Sequence, residues 1–223
     1  MRFLKKIFCA AVLCGVAVAA MASPSAPKNG VEYLTMPTPQ PADAGKKVEV
    51  IEFFAYYCPH CNSFEPSLEA WIKKQGNNIV FKRVHVPYDE STAAQQRLYF
   101  TLEALGLVDQ YQAKVFQAIH VDRQPLKTDA EVLAFITTQG IDPVKFKAAY
   151  TSFGVTARIH RASSMMASYG IDSWPAIIVD GRYKTSPAQA GTEMKDVMNE
   201  GQLHVAVLTV MDALVAKVQA EKK

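Results

Sequence analysis

Two cysteines three residues apart, Cys58 and Cys61, are the residues of this 223-residue chain best suited to covalent chemistry. They lie in Phe53-Phe54-Ala55-Tyr56-Tyr57-Cys58-Pro59-His60-Cys61, where an apolar strand pattern gives way to a helix pattern. Disulfide exchange is carried by thiolates, and a helix N-terminus favours an anion through its free N–H groups and dipole. Cys58 is expected there as the exposed, acidic sulfur, with Cys61, one turn on, as its buried resolving partner. Pro59 suits the first helical turn, where a missing N–H is harmless. His60 can bring a positive charge or a donor to the Cys58 sulfur. A zinc site would need paired histidines at a spacing the chain lacks.

The rest of the chain is organised to present this pair. Residues 1–22 carry Arg2, Lys5 and Lys6, then an apolar run too short for an ordinary membrane span, then Ala20-Met21-Ala22. This is a signal-peptide pattern with cleavage expected before Ser23; an uncleaved anchor is its rival. The leader takes Cys9 and Cys14 with it, so the mature chain keeps Cys58 and Cys61 alone. It also takes three of the 24 Lys+Arg, leaving 21 against 21 Asp+Glu, so the +3 charge becomes about 0. Nothing in that balance points to nucleic acid. About 200 residues bury a core without staples, so one tight pair in an exported protein argues for reactivity over structure.

Residues 23–47 are Pro-rich and extended, with a short edge strand over 31–35. Val48 to Ala55 reads as a buried strand carrying one acidic residue, Glu52. A helix is expected from Cys58 to Gln75, kinked at Pro66, and a second central strand from Ile79 to Val86. Residues 91–157 read as an all-helical insertion, with helices over 93–105, 108–120, 129–138 and 144–152. A helix from Arg158 to Tyr169 follows, then Trp174-Pro175 and a hairpin turning at Asp180-Gly181. A C-terminal helical region over 193–217, with Gly201 as a break, completes the pattern. The predicted fold is α/β, a mixed central sheet flanked by helices, with 48–90 and 158–223 forming one discontinuous domain around the insertion.

The segment Val50 to Cys61 with its Cys-Pro-His-Cys motif, the insertion, Trp174-Pro175 and the C-terminal helix together resemble the DsbA family of bacterial periplasmic disulfide oxidases. The likeness covers nearly all of the mature chain. It implies a thioredoxin fold, a redox-active Cys58–Cys61 disulfide, and a His60 that stabilises the Cys58 thiolate. It implies a cis-proline at Pro175 facing the disulfide, with Trp174 supplying backbone contacts to a bound client strand. Trp174 departs from the small or β-branched residue of that family. Glu52 matches a buried acidic residue beneath the site, able to move the Cys61 proton through water, with Arg83 or Lys82 as its basic partner. The implied function is oxidation of reduced exported proteins through a mixed disulfide. The implied partners are those clients and a quinone-linked inner-membrane reoxidase of the DsbB type. The chain is expected to be a periplasmic monomer with no bound cofactor and no metal. A reductase or isomerase of the same fold and a peptide-binding chaperone module are the competing readings.

Overall fold

The computed structural model describes residues 26–87, 89–194 and 199–222. The leader and the cleavage point before Ser23 lie outside the described residues. Leu34–Thr35 (β1) is the short edge strand, narrower than expected, and Val48–Phe54 (β2) is the central strand, with all seven residues buried. Pro59–Gln75 (α1) then crosses over to Ile79–His85 (β3), which pairs parallel to β2. The helical block holds Ala93–Ala104 (α2), Val108–His120 (α3), Asp129–Thr138 (α4), Pro143–Tyr150 (α5) and Phe153–Ser168 (α6). Ala176–Val179 (β4) and Tyr183–Thr185 (β5) form the hairpin; Pro187–Ala190 (α7) and Glu200–Glu221 (α8) follow. The strand order is β1-β5-β4-β2-β3, a five-stranded mixed sheet.

Successive strand residues face opposite sides of a sheet, and β2 uses both. Val48 and Val50 pack with Phe64, Leu68 and Trp71 of α1 and with Val207, Met211 and Leu214 of α8. Ile51 and Phe53 pack with the helical block, including Leu98, Val115, Phe116 and Ile136. A strand covered on both faces has to be continuously apolar, which is why its one exception, Glu52, invites explanation.

Local chemistry sets most of the boundaries. Thr128 caps α4 reciprocally with Glu131, and Asp142 caps α5 ahead of Pro143. Asp180 and Gly181 both have positive φ, the turn geometry that an Asp-Gly hairpin provides. A Cβ at Gly181 would stand 2.1 Å from the Gln40 carbonyl oxygen, so glycine is required there. Pro66 lies inside α1 without ending it.

Two expectations need correction. The helix expected from Arg158 begins at Phe153, because the Ser152 hydroxyl accepts from the Val155 N–H and starts it five residues earlier. The expected division between 157 and 158 therefore falls inside a continuous helix. The C-terminal helix starts at Glu200, not at 193, because Asn199 and Gln202 form a reciprocal cap. Gly201 sits in its first turn and breaks nothing.

Candidate active site

Cys58 is the N-cap residue of α1, as expected, with Pro59 at the first helical position. The Cys61 N–H donates to the Cys58 sulfur at 3.4 Å, and both cysteines are free thiols. Cys58 is 6% exposed and Cys61 0%, so an approaching thiolate reaches the first sulfur and not the second. The Cys58 thiol is lowered from its ordinary 9.0 to about 6. The Cys61 thiol, donating to the Cys58 sulfur, is the largest cause, acting against the cost of burial. The backbone N–H groups of Cys61 and His60 and the His60 charge add to it. Cys61 is pushed well above 9.0, first by burial and then by donating to and facing the Cys58 sulfur. The environment thus divides two identical side chains into an acidic one and a protonated one.

The peptide between Trp174 and Pro175 is cis, and the Trp174 carbonyl oxygen lies 3.7 Å from the Cys58 sulfur. The Trp174 ring meets Tyr57 edge-on at 6.2 Å. A cavity of about 200 Å³ opens beside this loop, walled by Trp174, Pro175, Pro187 and Leu203, with His60 and Glu200 at its rim. His60 does not turn wholly toward the sulfur. Its side chain is 70% exposed, and its Nδ1 pairs with the Glu200 carboxylate at the start of α8. It is the least of the influences that lower the Cys58 thiol.

Glu52 lies beneath the pair, fully buried. Register decides its partner: Arg83 stands opposite Glu52 across β2 and β3, and its Nε donates to Oε2 at 3.0 Å. Lys82, one residue earlier, faces the other side of the sheet and pairs with Glu49. The same guanidinium also reaches Glu65 at 3.1 Å and Glu69 at 2.7 Å, both on α1. Glu69 is 38% exposed, but Glu52 and Glu65 are buried, and one cation shared among them does not offset both, so a proton stays in the cluster. Burial, opposed by Arg83 and reinforced by Glu65, raises Glu52 from 4.5 to about 8. Its Oε1 and the Glu65 Oε2 are buried without a hydrogen-bond partner among the described residues.

Sequence reasoning did not reach Glu65, Glu69, Glu200 or the buried histidines. Glu65 and Glu69 are four apart on α1 and so share a helix face, a signal that could have been used. Glu200 is 140 residues from His60 and has no such signal. His85 accepts through Nε2 from the Tyr56 N–H at 3.0 Å, and its Nδ1 donates to the Val86 carbonyl at 3.0 Å. Burial lowers it to about 3, so it stays neutral.

The profile of the DSBA-like thioredoxin domain matches residues 49–199. The chain is 41% identical over 204 residues to the thiol:disulfide interchange protein DsbA of Burkholderia cepacia, covering 91% of each. Over 162 residues it is 31% identical to the DsbA of Pseudomonas aeruginosa, covering 73% of this chain and 77% of that one. Among solved structures, P. aeruginosa DsbA superposes with a TM-score of 0.77 at 29% identity, covering 86% of this chain and 94% of that one. Reduced DsbA1 of Neisseria meningitidis does so at 0.72 and 26%, covering 89% and 98%. With a helix-capping thiol set against a buried partner and a cis-proline, this chain belongs to the DSBA-like thioredoxin family and is a disulfide-introducing thiol:disulfide oxidoreductase.

Proposed function

We propose that Cys58 is the sulfur that meets the client and Cys61 the one that leaves and returns. In the oxidised protein a client thiolate attacks the Cys58 sulfur. The Cys58–Cys61 bond breaks, its electron pair passes to the Cys61 sulfur, and that thiolate takes up a proton. A second client thiolate then attacks the client sulfur of the mixed disulfide and expels Cys58 as its thiolate. The client gains a disulfide and this protein holds the dithiol. The observation that carries the reading is the contrast between Cys58 at the mouth of α1, lowered to about 6, and Cys61 buried behind it.

The direction follows from the same contrast. Whatever stabilises the dithiol makes the disulfide more oxidising. At pH 7, lowering one thiol from 9.0 to about 6 favours the dithiol by up to about tenfold, or ~30 mV for a two-electron couple. Low basicity also makes Cys58 a good leaving group in the second step. Glu52, protonated near neutral pH beneath the pair, serves as the proton store for the Cys61 sulfur, through water. Pro59 presents the helix end, His60 adds positive charge held by Glu200, and Trp174-Pro175 offers backbone to an extended client segment. Clients are reduced exported proteins, and a quinone-linked membrane reoxidase of the DsbB type restores the disulfide. The chain works as a periplasmic monomer after removal of residues 1–22.

The test is the equilibrium of the purified protein with glutathione buffers, with the Cys58–Cys61 state read by mass after alkylation. An oxidant is found reduced even when most glutathione is oxidised. A pair that stays oxidised until glutathione is almost fully reduced overturns the reading in favour of a reductase or a structural pair. Cys58→Ser abolishes client oxidation. Mixed with a disulfide-bonded client, Cys61→Ala accumulates mixed disulfides visible on non-reducing gels: the Cys58 thiolate attacks the client disulfide, one client thiolate leaves, and no Cys61 thiol remains to release the client.

A further inference from the structure

Between the end of β2 at Phe54 and the cap at Cys58 the backbone has left the sheet and has not yet entered the helix. Tyr56, in the middle of this crossing, is fully buried, so both its N–H and its C=O need partners inside the protein. Two histidines provide them. His85, at the end of β3, accepts from the Tyr56 N–H at 3.0 Å; its tautomer is set by Nδ1 donating to Val86. His120, the last residue of α3, donates from Nε2 to the Tyr56 carbonyl at 2.7 Å. The two imidazoles take the place of neighbouring strands. The grip is reinforced from the insertion: the Tyr56 hydroxyl donates to Gln112 of α3 at 2.8 Å, and Gln96 of α2 donates to the His85 carbonyl at 2.7 Å.

We propose that His85 and His120 are positioning residues for Cys58, and that through His120 the helical insertion helps set the acidity of the catalytic thiol. One residue, Tyr57, separates Tyr56 from Cys58, and the Cys58 N–H is tied back to the Ala55 carbonyl at 3.1 Å. The benefit to the Cys58 thiolate comes from groups at fixed short range, the Cys61 N–H at 3.4 Å and the helix end, and both fall off within a turn. A loosened Tyr56 peptide lets the sulfur drift from these donors. The insertion is then part of the redox machinery as well as a cover over the sheet. This rests on the oxidase reading only for its consequence, since the effect on the thiol is measurable by itself.

The informative variant is His120→Ala in the full-length mature protein, because His120 is only partly buried and its loss spares the core. Cys58 ionisation is followed by thiolate absorbance against pH, and the Cys58–Cys61 equilibrium is measured against glutathione. With one backbone hydrogen bond removed, the ionisation midpoint rises and the equilibrium moves toward the disulfide by about threefold or more. His120→Gln, which keeps an N–H donor, restores most of both. Val115→Ala, in the buried face of the same helix, lowers the unfolding midpoint and moves neither. Unchanged ionisation and equilibrium in His120→Ala overturn the proposal. So does a shift that Val115→Ala reproduces or His120→Gln leaves uncorrected, because it would then come from packing. The parent protein's own position against glutathione tests the oxidase reading separately, whatever the ratio between variants.

Discussion

Two polar clusters flank the active-site crossing, and they solve the same problem in opposite ways. Toward α1, buried Glu52 and Glu65 share Arg83 with the more exposed Glu69, and one cation does not balance them. Toward the insertion, Tyr56, His85, Gln112 and His120 surround the backbone with hydrogen bonds, and buried His85 stays neutral. The first cluster retains a proton near neutral pH; the second holds a peptide by hydrogen bonds. A buried charge with an incomplete partner is costly to keep, whereas hydrogen bonds to a buried peptide hold that peptide in place. Both lie beside the same crossing segment, so in the roles proposed for them the sulfur pair takes its acid–base support from one side and its placement from the other.

The difference also has a sign in pH. Glu52 holds its proton to about pH 8 in the fold and to 4.5 when unfolded, so its contribution to stability is full below 4.5 and is lost as pH rises through 8. His85 does the reverse. It is neutral down to about 3 in the fold and 6.5 when unfolded, so its contribution is full above 6.5 and is lost as pH falls toward 3.

The largest test of the contrast is Arg83→Met. It strands buried carboxyls without a cation and should cost about 3–5 kcal/mol in urea unfolding at pH 8. The deficit should shrink toward pH 4.5, where the carboxyls are protonated. A deficit constant with pH would mean the cluster is not charged as described. His85→Leu is next. It leaves the Tyr56 N–H unpaired in the core and should cost roughly 1–3 kcal/mol at pH 7. Its deficit should narrow below 6.5, the opposite trend to Arg83→Met, and matching trends would dissolve the comparison. Tyr56→Phe removes only the bond to Gln112 and should cost about 1 kcal/mol, moving the glutathione equilibrium less than His120→Ala does. The smallest effect on stability belongs to Glu52→Gln. Because the parent carboxyl is protonated at pH 7, the loss there should stay under about 1 kcal/mol. The fall in stability between 4.5 and 8 should flatten in that variant. Proton delivery to Cys61 should slow, read by stopped-flow mixing with a thiol; an unchanged rate would remove Glu52 from the reaction.

Much of this could be read from the residues. The apolar run of β2, the proline after Cys58, the Asp-Gly turn and the caps at Thr128 and Asp142 are local signals with local causes, and the structure follows them. The boundaries that moved are those where a cap lay outside the apolar pattern, at Ser152 and Asn199. Whether Arg83 or Lys82 serves Glu52 depends on parity between two strands, and a one-residue slip would have exchanged them.

By itself the sequence determined that one cysteine pair would stand at a strand-to-helix junction, because periodicity and helix-start chemistry act over a few residues. Only the tertiary structure decided what surrounds that pair: Glu200 on His60, three carboxyls on Arg83, two imidazoles on Tyr56. Those contacts join residues from about 14 to 140 positions apart. The contacts at Arg83 and Tyr56 exist because packing the sheet between α1, α8 and the insertion excludes water and favours a partner from whichever element lies nearest, while the exposed His60–Glu200 pair follows from the packing of α8 against α1.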